Sequence, residues 1–403
     1  MHISPFVSPY VNPYVGAVVQ PFAAIREEST QPRELSIPRY VNYLADYSGC
    51  GFWRILWPEL LINMEGYGCS QSQTAMIFDP RWYAGVKCVK VQRQASNDQK
   101  EFIKYLKSIQ KECGFKLVYE VDDVVFREDI PNYNKFKFAF DTDEIRNNCI
   151  EIINMCDEVV VTCDYMRKLY QERTGKQEIT VVPNFVPRHW MGHQYNQQKI
   201  YNNYDKNKSK PRVLYTGSGA HYDVDNKNNG IDDFSHVLDV VKRTINKYQW
   251  VFVGSFPPAL EDLVRQGKIE FHQWQSLNSY PDFIANLNAQ IMIAPLQDNT
   301  FNNSKSDIKF IEACVLGLPC LVQDMHTYKD APAALKFKTG EDLEEKLEGV
   351  LKNKAAYYRN VTVLRNIGVQ RFLELSENIG CHLEVLNTPY GSPERKYLKR
   401  YNP

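Results

Sequence analysis

The feature that most constrains the fold of this chain lies in residues 302–322, where a polar loop leads into a helix and then a short apolar strand. The apolar positions available for packing along the helix are Ile308, Ile311, Ala313 and Val315. The run Gly317-Leu318-Pro319 stops the helix, and the strand follows directly. Loop, helix and buried strand in this order predict the αβ step of a nucleotide-binding parallel sheet.

The same helix carries charged residues that suit a nucleotide. Lys305 and Lys309 lie at its N-terminal end, on either side of Ser306, and their charge adds to the positive end of the helix dipole. That combination favours a diphosphate. Glu312 lies further along the helix and can accept hydrogen bonds from a ribose diol. The alternative interpretation is an ordinary amphipathic helix followed by a buried strand.

Composition indicates a globular chain and little about its partner. The 403 residues are 43% hydrophobic and 24% charged, which predicts about two domains. Lys plus Arg and Asp plus Glu both number 48, so net charge gives no evidence for a nucleic-acid partner, although local basic patches stay possible.

Cysteine usage and hydropathy indicate a soluble, cytoplasmic protein. The ten cysteines are scattered and form no CxxC pair, which predicts small core residues in a reducing compartment and no zinc site. No stretch reaches the roughly 18 apolar residues that a membrane span needs. The N-terminal residues also lack the pattern of a signal peptide.

Two series of alternating strands and helices predict an α/β fold with doubly wound parallel sheets. The first series has strands at residues 75–78, 87–91, 116–121, 158–162 and 179–182, with helices at 98–113 and 143–155. The second has strands at 212–216, 250–253, 269–274, 291–295 and 319–322, with helices at 232–248, 259–266 and 279–287. The segment 341–386 is mostly helical in pattern.

Three more loops are candidates because ligands bind at the carboxyl ends of strands in such sheets. Gly49 and Gly51 form a turn before a helix that runs to about residue 64, and Arg54 can face an anion. A plain glycine turn is equally compatible.

The other two loops follow predicted strands. Asp122 and Asp123 are adjacent carboxylates that need solvent, a cation or substrate hydroxyls nearby, although a helix cap or solvated loop also explains them. The turn Gly217-Ser218-Gly219, with His221 just after it, offers free backbone N–H groups to phosphate oxygens.

Together these motifs resemble the donor site of retaining nucleotide-sugar glycosyltransferases of the GT-B class, group 1 type, and are similar to phage-encoded DNA-modifying members. The resemblance implies two Rossmann-like doubly wound domains facing a cleft. It places an N-terminal domain at 1–192, a linker at 193–210, a nucleotide-sugar-binding domain at 211–365, and a tail at 366–403 that crosses back to the first domain. A nucleoside diphosphate sugar, most simply a UDP-sugar, would be the donor substrate, with no tightly bound cofactor and no metal.

The resemblance also implies roles for the candidate residues. The residues it implies for donor binding are Gly217, Ser218, Gly219, Lys305, Ser306, Lys309 and Glu312. The implied catalytic residues are Asp122, Asp123, His221 and Lys309, and the implied acceptor-side residues are Gly49, Gly51 and Arg54. This chain departs from the family pattern in two places. Ser304 stands where the family has a sugar-binding glutamate, and the Gly217 turn lacks the family's diphosphate-binding arginine.

The phage likeness favours a 5-hydroxymethylpyrimidine in double-stranded DNA as acceptor, in a host cytoplasm. Two basic clusters would hold phosphate and stack a base, although both also fit solvated surface. They comprise Lys206, Lys208, Lys210 and Arg212, and Arg395, Lys396, Tyr397, Lys399, Arg400 and Tyr401. The alternatives are an enzyme of bacterial surface polysaccharide and, given Ser304, a catalytically inactive GT-B binding protein.

Overall fold

The computed structural model describes residues 38–192, 204–225 and 227–402. These residues contain two sheets, each of six parallel strands. The first sheet comprises β1 (Arg39–Tyr43), β2 (Cys69–Gln73), β3 (Val86–Gln92), β4 (Lys116–Glu120), β5 (Glu158–Val161) and β6 (Ile179–Val181). The second comprises β7 (Arg212–Gly217), β8 (Gln249–Gly254), β9 (Glu270–Gln273), β10 (Ile291–Ala294), β11 (Cys320–Gln323) and β12 (Lys336–Phe337). We call the parts of the chain around these sheets the N-terminal unit and the C-terminal unit.

Helices connect the strands in both units. Those of the N-terminal unit are Gly49–Gly51, the π-helical Phe52–Leu56, Trp57–Met64, Asn97–Cys113, Asp143–Met155, Asp164–Thr174 and His189–Gly192. Those of the C-terminal unit are Leu238–Arg243, Glu261–Arg265, Tyr280–Asn286, Thr300–Asn303, Ile308–Leu316, Gly340–Lys352 and Lys354–Val369. The last helix, Ser376–Asn387, packs against β3 and thus belongs spatially to the N-terminal unit.

Strand order locates the ligand-binding edge of each sheet. The first sheet has the order β2-β1-β3-β4-β5-β6 and the second β12-β11-β10-β7-β8-β9. The direction of winding reverses between β1 and β3 in the first sheet and between β7 and β10 in the second. Loops at the carboxyl ends of those strands line the crevice where ligands bind in such folds. The predicted α/β doubly wound architecture is confirmed.

The helix Asn97–Cys113 shows why apolar periodicity predicts a helix in this chain. Ser96 and Gln99 form a reciprocal capping box at the start of Asn97–Cys113, and Gly114 ends the helix in the left-handed conformation with φ of 74°. Phe102 and Leu106 lie one turn apart and are buried. Start, stop and apolar face are all local signals, so the predicted helix at 98–113 differs from the observed one by a single residue.

Two predicted elements were wrong. The strand predicted at 75–78 lies instead at Cys69–Gln73, a polar strand that pairs with β1 at the edge of the described sheet and has no apolar pattern. The helix predicted at 232–248 is regular only over Leu238–Arg243. Its expected first turns are irregular because the Asp232 carboxylate accepts the backbone N–H groups of Asp223 and Phe234, which holds tight turns there.

Two chain segments cross between the units side by side. Val186 forms an isolated parallel bridge with Phe372, and the backbone of Val186 bonds to Arg371 and Leu373. Arg371 adds a bidentate ion pair with Asp307, just before the helix Ile308–Leu316. The predicted linker at 193–210 falls largely in residues 193–203, which lie outside the described residues.

The C-terminal tail is anchored in the N-terminal unit by a buried ion pair. Arg395 is 5% exposed and its guanidinium donates to both oxygens of Glu158, at 2.7 and 2.6 Å. Although burial opposes ionisation, these bonds hold the pKa of Glu158 below its usual range. The carboxylate of Glu384 accepts backbone N–H groups of Lys396 and Leu398. Arg395 is thus a structural residue, and the predicted phosphate contact through it is wrong.

Arg212 of the other predicted basic cluster lies far from the ligand-binding edge. Arg212 donates to both carboxylate oxygens of Glu270 and to the Leu287 carbonyl. It stands at the amino end of β7, five residues before Gly217, and a strand rises roughly 3.3 Å per residue. The side chain therefore lies roughly 16 Å along the strand from the edge where the glycine turn begins.

We predict that Arg395→Ala lowers the free energy of unfolding by about 1.5 to 3 kcal/mol, because the buried Glu158 carboxylate loses its bidentate partner and keeps the ion pair with Lys116. Urea denaturation of the variant and of Lys399→Ala, an exposed residue of the same tail, measures the difference. Lys399→Ala should change stability by less than about 0.5 kcal/mol. Equal effects of the two substitutions would contradict the structural role of Arg395.

Candidate functional site between the two units

The glycine turn predicted from the sequence lies at the switch point of the second sheet. It leaves the carboxyl end of β7, and Ser218 caps the following 3-10 turn Gly219–His221 by accepting the N–H of Ala220 at 3.3 Å. Gly217 is required by close approach, because an added Cβ would lie 2.5 Å from the Tyr215 hydroxyl oxygen. Residues 217–220 are half-buried, and the N–H groups of Ala220 and His221 are donated to the Ser218 side chain and carbonyl.

A buried carboxylate, Asp233, organises the floor of this site. Its Oδ2 accepts from His221 Nδ1 at 2.6 Å, and its Oδ1 accepts from the Tyr133 hydroxyl at 2.7 Å and from the Gln297 backbone N–H at 2.9 Å. Asn302 Nδ2 also donates to Oδ1. Burial alone would raise the pKa of Asp233, but the hydrogen bonds from His221 and the Gln297 N–H, together with the charge of Lys305, lower it to about 2. The carboxylate is therefore ionised, and Tyr133 reaches it from the N-terminal unit.

His221 links this carboxylate to Lys309. Burial, together with the charges of Lys305 and Lys309, lowers the pKa of His221 to about 3, so the ring is neutral. Because Nδ1 donates to Asp233, Nε2 carries the lone pair and accepts from Lys309 Nζ at 3.1 Å. A neutral ring with both nitrogens occupied does not exchange protons with a substrate. The arrangement lets His221 position Lys309, and its catalytic role stays a prediction.

The two lysines are neighbouring cations beside the turn. Burial, followed by repulsion from Lys305, lowers the pKa of Lys309 to about 8 even though Asp233 and Glu312 favour its charged form. Lys309 Nζ lies 5.6 Å from the centroid of the Tyr215 ring, and Lys305 Nζ lies 4.8 Å from that of Phe301. Lys309 thus remains mostly charged at neutral pH while repelled by a second cation, which favours an anion between them.

Glu312 lies about one turn after Lys309 on the helix Ile308–Leu316, and its carboxylate accepts a hydrogen bond from Tyr280. Its Oε2 accepts from the Tyr280 hydroxyl at 3.2 Å, and burial raises the pKa of the carboxyl to about 7. Two neighbours from the same motif have structural contacts. Ser304 is buried and donates to the Thr300 carbonyl at 2.8 Å, and Ser306 Oγ accepts from Asn184 Nδ2 at 2.9 Å. The Asn184 carbonyl also accepts from Arg371. We call the two crossing segments around Val186 and Phe372, with these contacts, the hinge, and Ser306 belongs to it.

The facing edge of the N-terminal unit carries a charged cluster that sequence analysis missed in part. Arg93 follows β3 at the switch point with φ of 45°, an uncommon conformation for a non-glycine residue. Its guanidinium pairs with Asp46 at 2.5 Å and lies 3.8 Å from Asp122. Burial raises the pKa of Asp123 to about 6, partly offset by the charge of Lys305. The predicted Asp122 and Asp123 are thus brought to the cleft, with Lys305 near Asp123.

The glycine turn of the N-terminal unit is closed by Asp46. Its Oδ1 accepts backbone N–H groups of Ser48 and Gly51, and an added Cβ on Gly51 would overlap the Asp46 carbonyl oxygen. An added Cβ on Gly49 would meet no atom within 4 Å. Gly49 is therefore the more open of the two predicted acceptor-side glycines.

Arg54 does not face a ligand. It is 1% exposed and donates to the buried carboxylate of Glu120 at 2.6 Å, the Val182 carbonyl at 2.8 Å and Asn184 Oδ1 at 2.9 Å. The anion opposite Arg54 is therefore a protein carboxylate, and the predicted acceptor-side role of this residue is wrong. Arg54 instead supports Asn184, which bonds to Ser306 across the hinge.

Asp233, Tyr133, Arg93 and Asp46 are site residues that sequence analysis did not identify. Asp232-Asp233 is a pair of adjacent carboxylates like Asp122-Asp123, and that signal was available, but the pair was assigned to a helix start. Within residues 38–192, 204–225 and 227–402, no group of three His, Cys, Asp or Glu side chains is arranged to hold a metal ion. No helix in that part of the chain is long and apolar enough to cross a membrane.

Solved structures with the same fold include proteins in complex with nucleotides. HepE of Anabaena, solved with UDP and glucose, matches with a TM-score of 0.56 at 9% identity, over 87% of this chain and 97% of HepE. HepE has also been solved with UDP-glucose. TarM of S. aureus, solved with fondaparinux, alpha-GlcNAc-glycerol and UDP, matches with a TM-score of 0.50 at 12% identity, over 75% of this chain and 55% of TarM.

At these identities the likeness shows the fold, which is the GT-B arrangement of two facing Rossmann-like units. No protein-family model matches the sequence, and no curated protein sequence matches it. The predicted fold class is therefore confirmed by structure.

We predict that Lys309 titrates near pH 8 in the free protein, whereas exposed lysines titrate near 10.4. NMR of 13C-methylated lysines measures this, with the Lys309 signal assigned from Lys309→Arg. Lys305→Gln should raise the pKa of Lys309, because it removes a repelling cation. Lys111→Gln, on the exposed end of the helix Asn97–Cys113, should leave it unchanged. An ordinary lysine pKa that does not respond to Lys305→Gln would contradict the buried cation cluster.

Proposed function

We propose that this protein is a glycosyltransferase that moves a sugar from a nucleoside diphosphate sugar to a hydroxyl acceptor. The observation that carries the proposal is the grouping of Lys305, Lys309 and Glu312 beside the glycine turn at the switch point of the second sheet. Cations next to a glycine turn at the carboxyl end of a strand suit a diphosphate, and a carboxylate further along the same helix suits a ribose. The complexes of HepE and TarM with UDP support the same ligand class.

A UDP-sugar is the proposed donor, with its diphosphate between the glycine turn and the two lysines. Glu312 would accept hydrogen bonds from the ribose hydroxyls. In the structure its carboxylate accepts a hydrogen bond from the Tyr280 hydroxyl. Asp233 and His221 would take no part in the bond changes. They hold the Lys309 ammonium in place, which limits its reorganisation when charge develops on the leaving group.

The proposed chemistry breaks the bond between the anomeric carbon and the donor's phosphate oxygen and forms a bond from that carbon to the acceptor oxygen. The acceptor proton passes to the departing diphosphate, so no protein nucleophile is needed, and we propose retention of configuration. Negative charge on the diphosphate increases towards the transition state. Lys305 and Lys309 would therefore stabilise the transition state more than the bound donor.

The acceptor side supports a carbohydrate hydroxyl better than DNA. Asp46, Asp122 and Asp123 group three carboxylates around one guanidinium, that of Arg93, at the carboxyl ends of β1, β3 and β4. Carboxylates accept hydrogen bonds from sugar hydroxyls, whereas they repel a phosphate backbone. We therefore propose an enzyme of glycan or polysaccharide assembly. Transfer to 5-hydroxymethylpyrimidine DNA is the alternative acceptor, and the arginines of the two basic clusters, Arg212 and Arg395, are paired with Glu270 and Glu158.

We predict that Glu312→Gln weakens UDP binding by about 1 to 3 kcal/mol, because the ribose loses a charged acceptor. Calorimetric titration with UDP, GDP and ADP measures it, and Glu345→Gln, an exposed residue of the helix Gly340–Lys352, is the control. Affinity should fall below about pH 7, where Glu312 protonates, and above about pH 8, where Lys309 loses its charge. Unchanged affinity for every nucleotide that binds would remove Glu312 from the donor site.

We predict transfer of sugar to an oligosaccharide or lipid-linked glycan, and no transfer to duplex DNA that contains 5-hydroxymethylcytosine or 5-hydroxymethyluracil. Mass spectrometry of products from a panel of UDP-, GDP- and ADP-sugars measures both, and NMR of the product gives the anomeric configuration. Incorporation into modified DNA would reverse the acceptor assignment. Nucleotide binding with neither transfer nor donor hydrolysis would favour the catalytically inactive alternative.

A further inference from the structure

A lysine of the N-terminal unit reaches the glycine turn of the C-terminal unit. An added Cβ on Gly219 would lie 3.2 Å from Lys135 Nζ and 3.7 Å from Lys135 Cε. Gly219 follows β7 in the second sheet, whereas Lys135 belongs to the connection between β4 and β5 in the first. The ammonium of one unit therefore lies against the turn at the switch point of the other.

The loop that carries Lys135 is held on the C-terminal unit by the residue two positions earlier. Tyr133 is 5% exposed, and its hydroxyl donates to Asp233 at 2.7 Å while accepting from the side-chain amides of Asn299 and Asn302, at 3.2 and 2.9 Å. A phenol with one donated and two accepted bonds in a buried position is firmly placed. Lys135 is therefore brought to the turn by a specific contact between the units.

The loop is also ordered from within. Asn134 Oδ1 accepts the N–H of Phe136 at 2.9 Å, which forms a local turn around Lys135. Lys137 bonds to the Ile130 carbonyl at 2.7 Å and to Asn132 Oδ1 at 2.9 Å. Lys137 therefore closes the loop through these two hydrogen bonds, whereas Lys135 extends towards Gly219.

Lys135 has a charge that no carboxylate of the described residues pairs with. Its contact within the loop is with the Phe136 ring, at 5.2 Å from the centroid. Lys309 contacts the same short turn at His221, and Lys135 contacts it at Gly219. Two ammonium groups from different units thus border three consecutive residues, Gly219–His221, and the repulsion between such groups falls when an anion binds between them.

We propose that Lys135 binds the diphosphate of the donor, so that the phosphate site is completed across the cleft by the N-terminal unit. The inference rests on the proposed function. Because Tyr133 and Lys135 share one loop, the same contact that joins the units also places the cation, and donor binding should favour the joined arrangement.

The test compares uridine, UMP and UDP binding by calorimetry in the wild-type protein, Lys135→Ala and Lys135→Arg. Lys135→Ala should weaken UDP binding about tenfold, as expected for loss of one charge-assisted contact, and should leave uridine binding within twofold. Lys135→Arg should retain most of the UDP affinity. Lys111→Ala, at the end of the helix Asn97–Cys113 away from the cleft, is the matched control and should bind all three like the wild type.

The possible outcomes separate the role of Lys135 from the proposed glycosyltransferase function. A UDP affinity within twofold of the wild type in Lys135→Ala would overturn the role of Lys135 and leave the proposed function intact. Equal weakening of uridine and UDP would also overturn it, because a phosphate ligand acts only on the phosphorylated members of the series. If the wild-type protein binds none of UDP, GDP and ADP, the proposed donor site fails, and the inference about Lys135 fails with it.

Discussion

The buried carboxylate of Asp233 is the interaction on which the rest of the site depends. It is wholly excluded from solvent and accepts hydrogen bonds from His221, Gln297 and Asn302 of its own unit and from Tyr133 of the other. An isolated buried charge costs several kcal/mol, so these partners must be in place together. The relative placement of the two units and the orientation of Lys309 through His221 therefore follow from the same group.

The two faces of the cleft differ in charge, so each suits a different part of the proposed reaction. Lys305 and Lys309 make the C-terminal face positive, while Asp122 and Asp123 make the N-terminal face negative. A leaving diphosphate is stabilised by Lys305 and Lys309 and, in the proposed arrangement, by Lys135 of the other unit, whereas Asp122 and Asp123 suit the hydroxyls of an acceptor. Arg93 moderates the negative face, and its left-handed backbone indicates that the surrounding contacts enforce its position.

Several residues that resemble ligand contacts are in fact parts of the hinge. Arg54 and Glu120 form a buried pair that supports Asn184, which bonds to Ser306. On the other side of the hinge, Arg371 pairs with Asp307 at the start of the helix that carries Lys309 and Glu312. Polar groups in the interior between two units need partners as strictly as those in a core. The donor helix is consequently held by the hinge itself.

The sequence by itself determined the two parallel sheets, the turn at Gly217 and the helix that carries Lys309 and Glu312. Apolar runs, caps and glycine stops are local signals, and the strand-end rule then locates the site. Only the tertiary structure decided which charged side chains are buried and with which partners. Arg395 and its partner Glu158 are 237 residues apart, and Tyr133 and Asp233 are 100 apart. A charged residue has the same local pattern whether it faces water or a buried partner, because desolvation and pairing depend on residues that the chain brings together only when it folds.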